Sequence, residues 1–265
     1  MRIARFSNGV TTRFGLVGDD LNHLEVLSGD PLFDGVKETG EIVSLADVRL
    51  LAPVAHPSKI IGIGKNYLDH IKEFDSSVPV EPLIFLKPTT ALIGPDEPIV
   101  LPNWSEHVDH EAEMAVVIKT KCKDLALDDV DDAIFGFTVG NDVSARDIQR
   151  RDKQWTRAKG FDTACPLGPW IETTLGSDVQ NLQITATVNG VVKQHESTAL
   201  MIHPVRELVA FVSTAFTLLP GDVILTGTPD GVVDVAVGDE VVTEIDGIGR
   251  LVNTIVGDDA FGRRP

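Results

Sequence analysis

The sequence of 265 residues predicts a mainly β fold with some α, an α+β chain, and three observations carry that expectation. The first fifty residues break into short alternating runs separated by Ser7-Asn8-Gly9 and Gly18-Asp19-Asp20, the pattern of a β-meander. Asn189-Gly190 and Asp246-Gly247 join later runs into hairpins. Against these stands one convincing amphipathic helix, in which Pro204 precedes an apolar stripe of Val205, Leu208, Val209, Val212 and Phe216.

Composition narrows the function before any motif does. A 43% share of hydrophobic residues supports a sizeable core, in one large domain or a large domain with a small appendage. The 23 Lys and Arg against 40 Asp and Glu leave a net charge of −17, which opposes binding to nucleic acid or to an anionic membrane. An anionic substrate would be repelled by this field, so Lys, Arg or metal charge must reverse its sign locally. The two cysteines, Cys122 and Cys165, suggest neither a disulfide framework nor a thiolate zinc site. The first residues lack the apolar core of a signal peptide, and the longest apolar stretch, 208–219, is interrupted by Ser213, Thr214 and Thr217. The expectation is a soluble, cytoplasmic protein.

Taken in order, residues 3–6, a run ending at Val17 and residues 21–27 are the strands of the meander, with no catalytic signature. The Pro53-Val54-Ala55-His56-Pro57 segment divides a small N-terminal β-rich domain, 1–52, from a larger domain, 58–258. Residues 58–64 read as a strand running into a glycine-bearing loop; Gly62-Ile63-Gly64 is too short a glycine pattern for a phosphate loop. Over 67–74 a helical turn would set His70 and Glu73 at i and i+3, able to share a proton, although a solvated surface pair has the same spacing. Lys87 ends an apolar strand, where it either snorkels or faces an anion.

Residues 114–118 are a short, β-branched, uncharged run expected to be a buried strand, and period two sends Glu111 and Glu113 to one face. Two like charges side by side near a core need a shared proton or a cation, although two solvated glutamates just outside the sheet would show the same spacing. The acidic stretch 123–132 reads as exposed. A further apolar strand, 134–140, leads to Asp142, a carboxylate at a strand end, and Asp147 is expected to pair with a nearby Arg. Residues 155–170 hold too many Gly and Pro for a helix and read as an ordered loop carrying Lys159. Residues 220–229 form a buried strand ending in a small-residue turn, where the Gly227 backbone and the Thr228 hydroxyl could receive a carboxylate.

Three carboxylates at apolar strands, with no cysteine among them, favour Mg²⁺ or Mn²⁺ over Zn²⁺. His110-Glu111 does not continue into the H-E-x-x-H of zinc proteases.

Six motifs in one order resemble the fumarylacetoacetate hydrolase superfamily across about residues 60–252. They are Asn66-Tyr67-x-x-His70-x-x-Glu73, Phe85-Leu86-Lys87-Pro88, the Glu111-x-Glu113 pair, Asn141-Asp142-Val143-Ser144-Ala145-Arg146-Asp147, Lys159-Gly160-Phe161-Asp162 and Leu225-Thr226-Gly227-Thr228-Pro229. The resemblance, to members such as acylpyruvases, oxaloacetate decarboxylases and 2-hydroxyhepta-2,4-diene-1,7-dioate isomerases, implies a mixed β-sandwich roll in a homodimer. It implies Mg²⁺ or Mn²⁺ held by Glu111, Glu113 and Asp142, and a mobile lid bearing His70 and Glu73. Arg146, Gln149, Lys159 and Thr228 would surround the substrate, and Gly227 and Lys87 join them as candidate contacts. Asp109 and His110 match no ligand of the family, and His110 would lie on the opposite strand face.

The chemistry and the resemblance meet on a small 2-oxo acid or dicarboxylate. Such an acid chelates a cation through its carboxylate and 2-oxo oxygen, which favours cleavage between C3 and C4. Lys159 adds positive charge where the enolate develops, and His70 with Glu73 activates water for an acylpyruvate, whereas oxaloacetate loses CO₂ without one. The expectation is therefore a divalent-metal hydrolase or decarboxylase of a 4-substituted 2-oxo acid. The alternatives are an isomerase, hydratase or decarboxylase of a 2-hydroxydienoate in aromatic catabolism, and a catalytically silent dimer that binds 2-oxo acids. The intact His70, Glu73 and acidic set speak against the silent dimer.

Overall fold

The computed structural model of the chain describes residues 1–261. It is mainly β, as the patterning predicts. One large sheet runs from the N-terminal meander to an edge strand, Leu83–Lys87, and a second sheet of five strands packs on it. At the middle of the large sheet lies Ala112–Ile118, buried at every position, between antiparallel neighbours Ile134–Asn141 and Val223–Leu225. Val223–Leu225 pairs in parallel with Ile60–Gly64.

Period two divides the central strand between two cores. Met114, Val116 and Ile118 pack with Leu208, Val209 and Val212 of the helix Val205–Ala215 and with Ile184, Ala186 and Ile245 of the second sheet. Ala115 and Val117 join Ile60, Val223, Leu225, Ile148 and Ala164 on the opposite face. At roughly 1.5–3 kcal/mol for each large aliphatic side chain buried, these two cores hold the central strand rigidly from both sides.

The predicted hairpin at Asn189-Gly190 is present: Gln183–Val188 pairs with Val191–Ser197, and both turn residues take positive φ, 51° and 75°. The N-terminal strands Arg2–Ser7, Thr12–Val17, His23–Leu27 and Glu38–Ser44 gather a small core of Ala4, Phe6, Val17, Leu24 and Val26. They also extend the large sheet, because Arg2 and Ile3 pair with Glu172 and Ile171.

The reading of 155–170 as a loop is corrected. The segment holds a one-turn helix, Thr156–Lys159, and the start of a strand, Cys165–Glu172. Pro169 is tolerated in that strand because its pairing with Ile134–Asn141 shifts register between Phe137 and Val139, where a ladder donor is not required, and Pro166 lies where the strand pairs in parallel with Leu92–Ile93. Among the described residues no helix is long and apolar enough to cross a membrane.

Candidate active site

Strand register assembles the acidic floor of the site. Ala112 lies opposite Asn141, and Glu113 opposite Gly140, so the entrance of one strand meets the exit of its neighbour. The Asn141 side chain accepts from the Glu111 amide at 2.9 Å, and the Asp142 amide donates to the Glu111 carbonyl at 2.9 Å. These two bonds clamp Glu111 and Asp142 side by side. Glu113 is oriented separately: the Gly227 amide donates to its Oε2 at 2.7 Å. Gly227 has φ +94°, and a Cβ there would meet that of Asn66 at 2.6 Å, so the turn that aims this amide needs glycine. One oxygen from each of Glu111, Glu113 and Asp142 can lie within 4.8 Å of the others.

Three cations surround this floor. Lys159 Nζ donates to Glu111 Oε2 at 2.6 Å and to Asp142 Oδ2 at 2.7 Å. Lys87 pairs with Asp142 Oδ1, and the Arg146 guanidinium pairs with Glu111 Oε1. Arg146 is fixed in turn by Asp109, which accepts from its Nε at 2.6 Å and shares a 2.8 Å bond with His107 Nε2.

Two glutamates two residues apart are thereby driven in opposite directions. Burial alone would raise the Glu111 carboxyl, but the charges of Arg146 and Lys159 outweigh it and hold the group far below the usual carboxylate range. Glu113 is pushed well above its ordinary 4.5, first by burial and then by the negative charges of Asp142 and Glu111. Its one backbone donor and the Lys159 charge do not compensate. A buried, oxygen-only donor set in which one carboxylate lacks a counter-charge fits a hard divalent cation, which would supply that charge.

Across a cavity of about 310 Å³ stands the second group. The predicted helix is Leu68–Glu73, and it places His70 Nδ1 3.3 Å from Glu73 Oε2. Glu73 Oε1 accepts from the Gly231 amide at 3.2 Å, so the carboxylate that orients the imidazole is itself anchored. Phe74, at the helix end, lies edge-on to His70 at 5.0 Å and covers the Arg146 guanidinium at 4.7 Å.

Of the residues expected from sequence, His70, Glu111, Glu113, Arg146, Gln149, Lys159 and Thr228 line the cavity. Asp142 lies beneath it, and Glu73 acts from behind His70. Two expected substrate contacts do other work. Lys87 is buried at 2% exposure and committed to Asp142, because its stem runs within the sheet and its ammonium finds a carboxylate there. The Gly227 amide is spent on Glu113. Asp147 pairs with no arginine among the described residues; it accepts from the Ser105 hydroxyl at 2.6 Å. His110 is buried, and burial pushes it down to about 4.

Sequence reasoning missed several positioning groups. Asp109 was set aside with His110, although it holds Arg146. Gln194 accepts from the Ala112 amide at 2.9 Å and donates to Thr228 Oγ1 at 2.8 Å, joining the acidic strand to the threonine turn. Asn66 donates to the Thr226 carbonyl at 2.8 Å. Asn66 and Asn141 stood inside quoted motifs, whereas nothing local distinguishes Gln194 from other polar strand residues.

Comparison with known proteins identifies the family. A family model described as "Fumarylacetoacetate (FAA) hydrolase C-terminal" matches residues 59–256, and one described as "Rv2993c-like, N-terminal" matches residues 1–53. Protein Rv2993c of Mycobacterium tuberculosis is 47% identical over 97% of this chain and 98% of its own. The human protein named oxaloacetate tautomerase FAHD2A, mitochondrial, is 45% identical over 81% of this chain and 72% of its own. The crystal structure of 2-hydroxyhepta-2,4-diene-1,7-dioate isomerase from Mycobacterium marinum superposes with a TM-score of 0.89 at 45% identity, covering 97% of this chain and 99% of that one. Maleylpyruvate hydrolase from Sphingobium sp. SYK-6, solved with manganese(II) and pyruvate, superposes with a TM-score of 0.81 at 30% identity, covering 97% and 99%. The chain belongs to the fumarylacetoacetate hydrolase family, whose members are metal-dependent enzymes.

Proposed function

We propose that this member of the fumarylacetoacetate hydrolase family cleaves the bond between C3 and C4 of a small 4-substituted 2-oxo acid, with Mg²⁺ or Mn²⁺ held by Glu111, Glu113 and Asp142. The observation that carries the reading is a proton-handling pair, His70 and Glu73, facing a buried carboxylate floor across one cavity. The cation, when bound, acts as a Lewis acid toward the carboxylate and 2-oxo oxygen of the substrate.

The chain's own residues supply the remaining chemistry. With Nδ1 directed at Glu73, His70 has Nε2 free to take a proton. For an acylpyruvate, His70 removes a proton from water as the oxygen adds to C4. The C3–C4 bond then breaks, its electron pair passes to C3 and the 2-oxo oxygen, and the proton held by His70 returns to C3, leaving pyruvate and a carboxylic acid. Lys159 and Arg146 bring positive charge to the cavity floor, where negative charge develops. For oxaloacetate the C4 carboxylate departs as CO₂, and His70 has no water to activate.

A second reading, in which a C3–H bond breaks and the carbon skeleton survives, is favoured by the relatives named as a tautomerase and an isomerase. One experiment separates the two. The protein stripped with EDTA and reloaded with Mg²⁺ or Mn²⁺ is assayed on oxaloacetate, acetylpyruvate and fumarylpyruvate, following pyruvate release and keto–enol absorbance together. Pyruvate released only after reloading supports cleavage. Keto–enol change without pyruvate moves the assignment to isomerisation, and full activity in EDTA removes the metal reading.

A further inference from the structure

The carboxylate floor accounts for some of the charges that line the cavity and leaves others unexplained. Four of the residues lining the cavity are cationic, Lys65, Arg146, Arg150 and Lys159, in a chain whose net charge is −17. Arg146 and Lys159 are neutralised by Glu111, Asp109 and Asp142. Lys65 and Arg150 have no hydrogen-bond or ion-pair partner among the described residues, although both line the same cavity.

Both positions are built rather than incidental. Arg150 lies on the helix Arg146–Asp152 four residues after Arg146, with Gln149 at i+3, so one face carries all three side chains toward the cavity. The next arginine, Arg151, pairs with Asp152, which also holds Arg157, so the local acid is already taken. Lys65 follows the strand Ile60–Gly64 and takes φ +60°, a left-handed conformation that favours glycine. Its neighbour Gly64 lets Trp155 close in as a wall, since a Cβ at Gly64 would sit 2.6 Å from the indole. Ile63, Ile71, Phe74 and Trp155 give the same cavity an apolar wall beside these cations.

We infer that Lys65 and Arg150 form a distal anion subsite that selects 2-oxo acids carrying a second carboxylate over those ending in an alkyl group. The inference rests on the reading of the floor as a 2-oxo acid site and adds the part of the molecule that reads the far end. The overall field of the protein repels a dianion, and two unpaired cations lining an apolar-walled cavity, Lys65 half-buried and Arg150 exposed, reverse that sign where the dianion must lie.

The test is equilibrium binding to the Mg²⁺-loaded protein of two inert acids, 2-oxoadipate and 2-oxohexanoate, which differ only in the terminal carboxylate. Titration calorimetry is expected to show about a tenfold or greater preference for 2-oxoadipate. Lys65→Gln and Arg150→Gln should each lower the ratio of the two affinities, and the double variant should bring it near unity. Circular dichroism of the variants checks that each is folded. Equal binding of both acids by the wild type overturns the inference alone, as does a ratio that survives in the folded double variant. Binding of neither acid removes the 2-oxo acid reading itself and the inference with it.

Discussion

The floor and the lid of the cavity are built on different principles. Glu111, Glu113 and Asp142 sit on strands packed from both faces, each 3% exposed or less, and every one is tied to a cation or a backbone amide. His70 and Glu73 ride on a helix of six residues whose N-cap Tyr67 makes no side-chain capping bond, with Leu68 and Phe74 exposed at 47% and 38%. So short a helix is not stable alone. It is tied to the body by the Glu73 bond to Gly231, Phe74 over Arg146, the buried Tyr67, His70 and Ile71, the Tyr67–Met201 bridge and the Asn66 bonds to His203 and Thr226. The sheet therefore fixes where charge is held, and a short helix, its outer face exposed at Leu68 and Phe74, presents the proposed proton carrier His70 to the cavity.

The largest effect is expected from breaking the floor. Glu113→Gln removes one anionic ligand from the cation site, and cation-dependent turnover should fall by more than the roughly 100-fold that outer contacts of metal sites cost. Retained kcat across a Mg²⁺ titration would refute the floor's role. The same variant has a signature without metal. Because the Glu113 carboxyl is raised above 4.5 in the folded chain, the folded state keeps a proton that the unfolded state has released. Stability of the cation-free protein thus falls as pH rises from 4.5 through the folded value, and Gln, which does not ionise, flattens that fall. Thermal unfolding in EDTA between about pH 5 and about pH 8 reads this slope.

A smaller and more selective loss is expected from the lid. His70→Ala removes the proton carrier and leaves the floor intact, so acylpyruvate hydrolysis should drop about 10²- to 10⁴-fold in kcat. Oxaloacetate decarboxylation, which needs no attacking water, should lose less. Equal losses on both substrates would mean that the lid acts only by closing and that the floor and lid do not divide the chemistry.

The same contrast explains what could be read from the chain in advance. Floor residues were legible because period two and a β-branched run place Glu111 and Glu113 on one face whatever the rest of the fold does. His70 and Glu73 were legible from i, i+3 spacing. The contacts between elements were not. Lys87 reads the same whether it meets a substrate or Asp142, since the outcome depends on which strand end lies beside it. Gln194 bridges Ala112 and Thr228 across two sheets, and Asp109 reaches Arg146 over 37 positions of sequence. The strand at Cys165–Glu172 was hidden because its prolines signal a loop locally, and only the register shift opposite Pro169, a matter of its neighbour, admits that one.

The smallest predicted effect lies at a contact between the lid and the arginine that braces the floor. Phe74 covers the guanidinium of Arg146 at 4.7 Å, and Arg146 is held by Asp109 and Glu111, so the ring docks onto a cation that cannot follow it. A half-exposed cation–π contact contributes about 0.5–1 kcal/mol. Phe74→Leu keeps most of the apolar bulk against the cavity and removes the π face, so the closed lid should lose about that much and KM should rise roughly two- to fivefold with kcat little changed. The direction follows from the contrast: the floor stays assembled, the His70–Glu73 bond is internal to the helix, and only the free energy of closing is altered. A fall in kcat with unchanged KM would place Phe74 in the chemical step and make the lid more than a door.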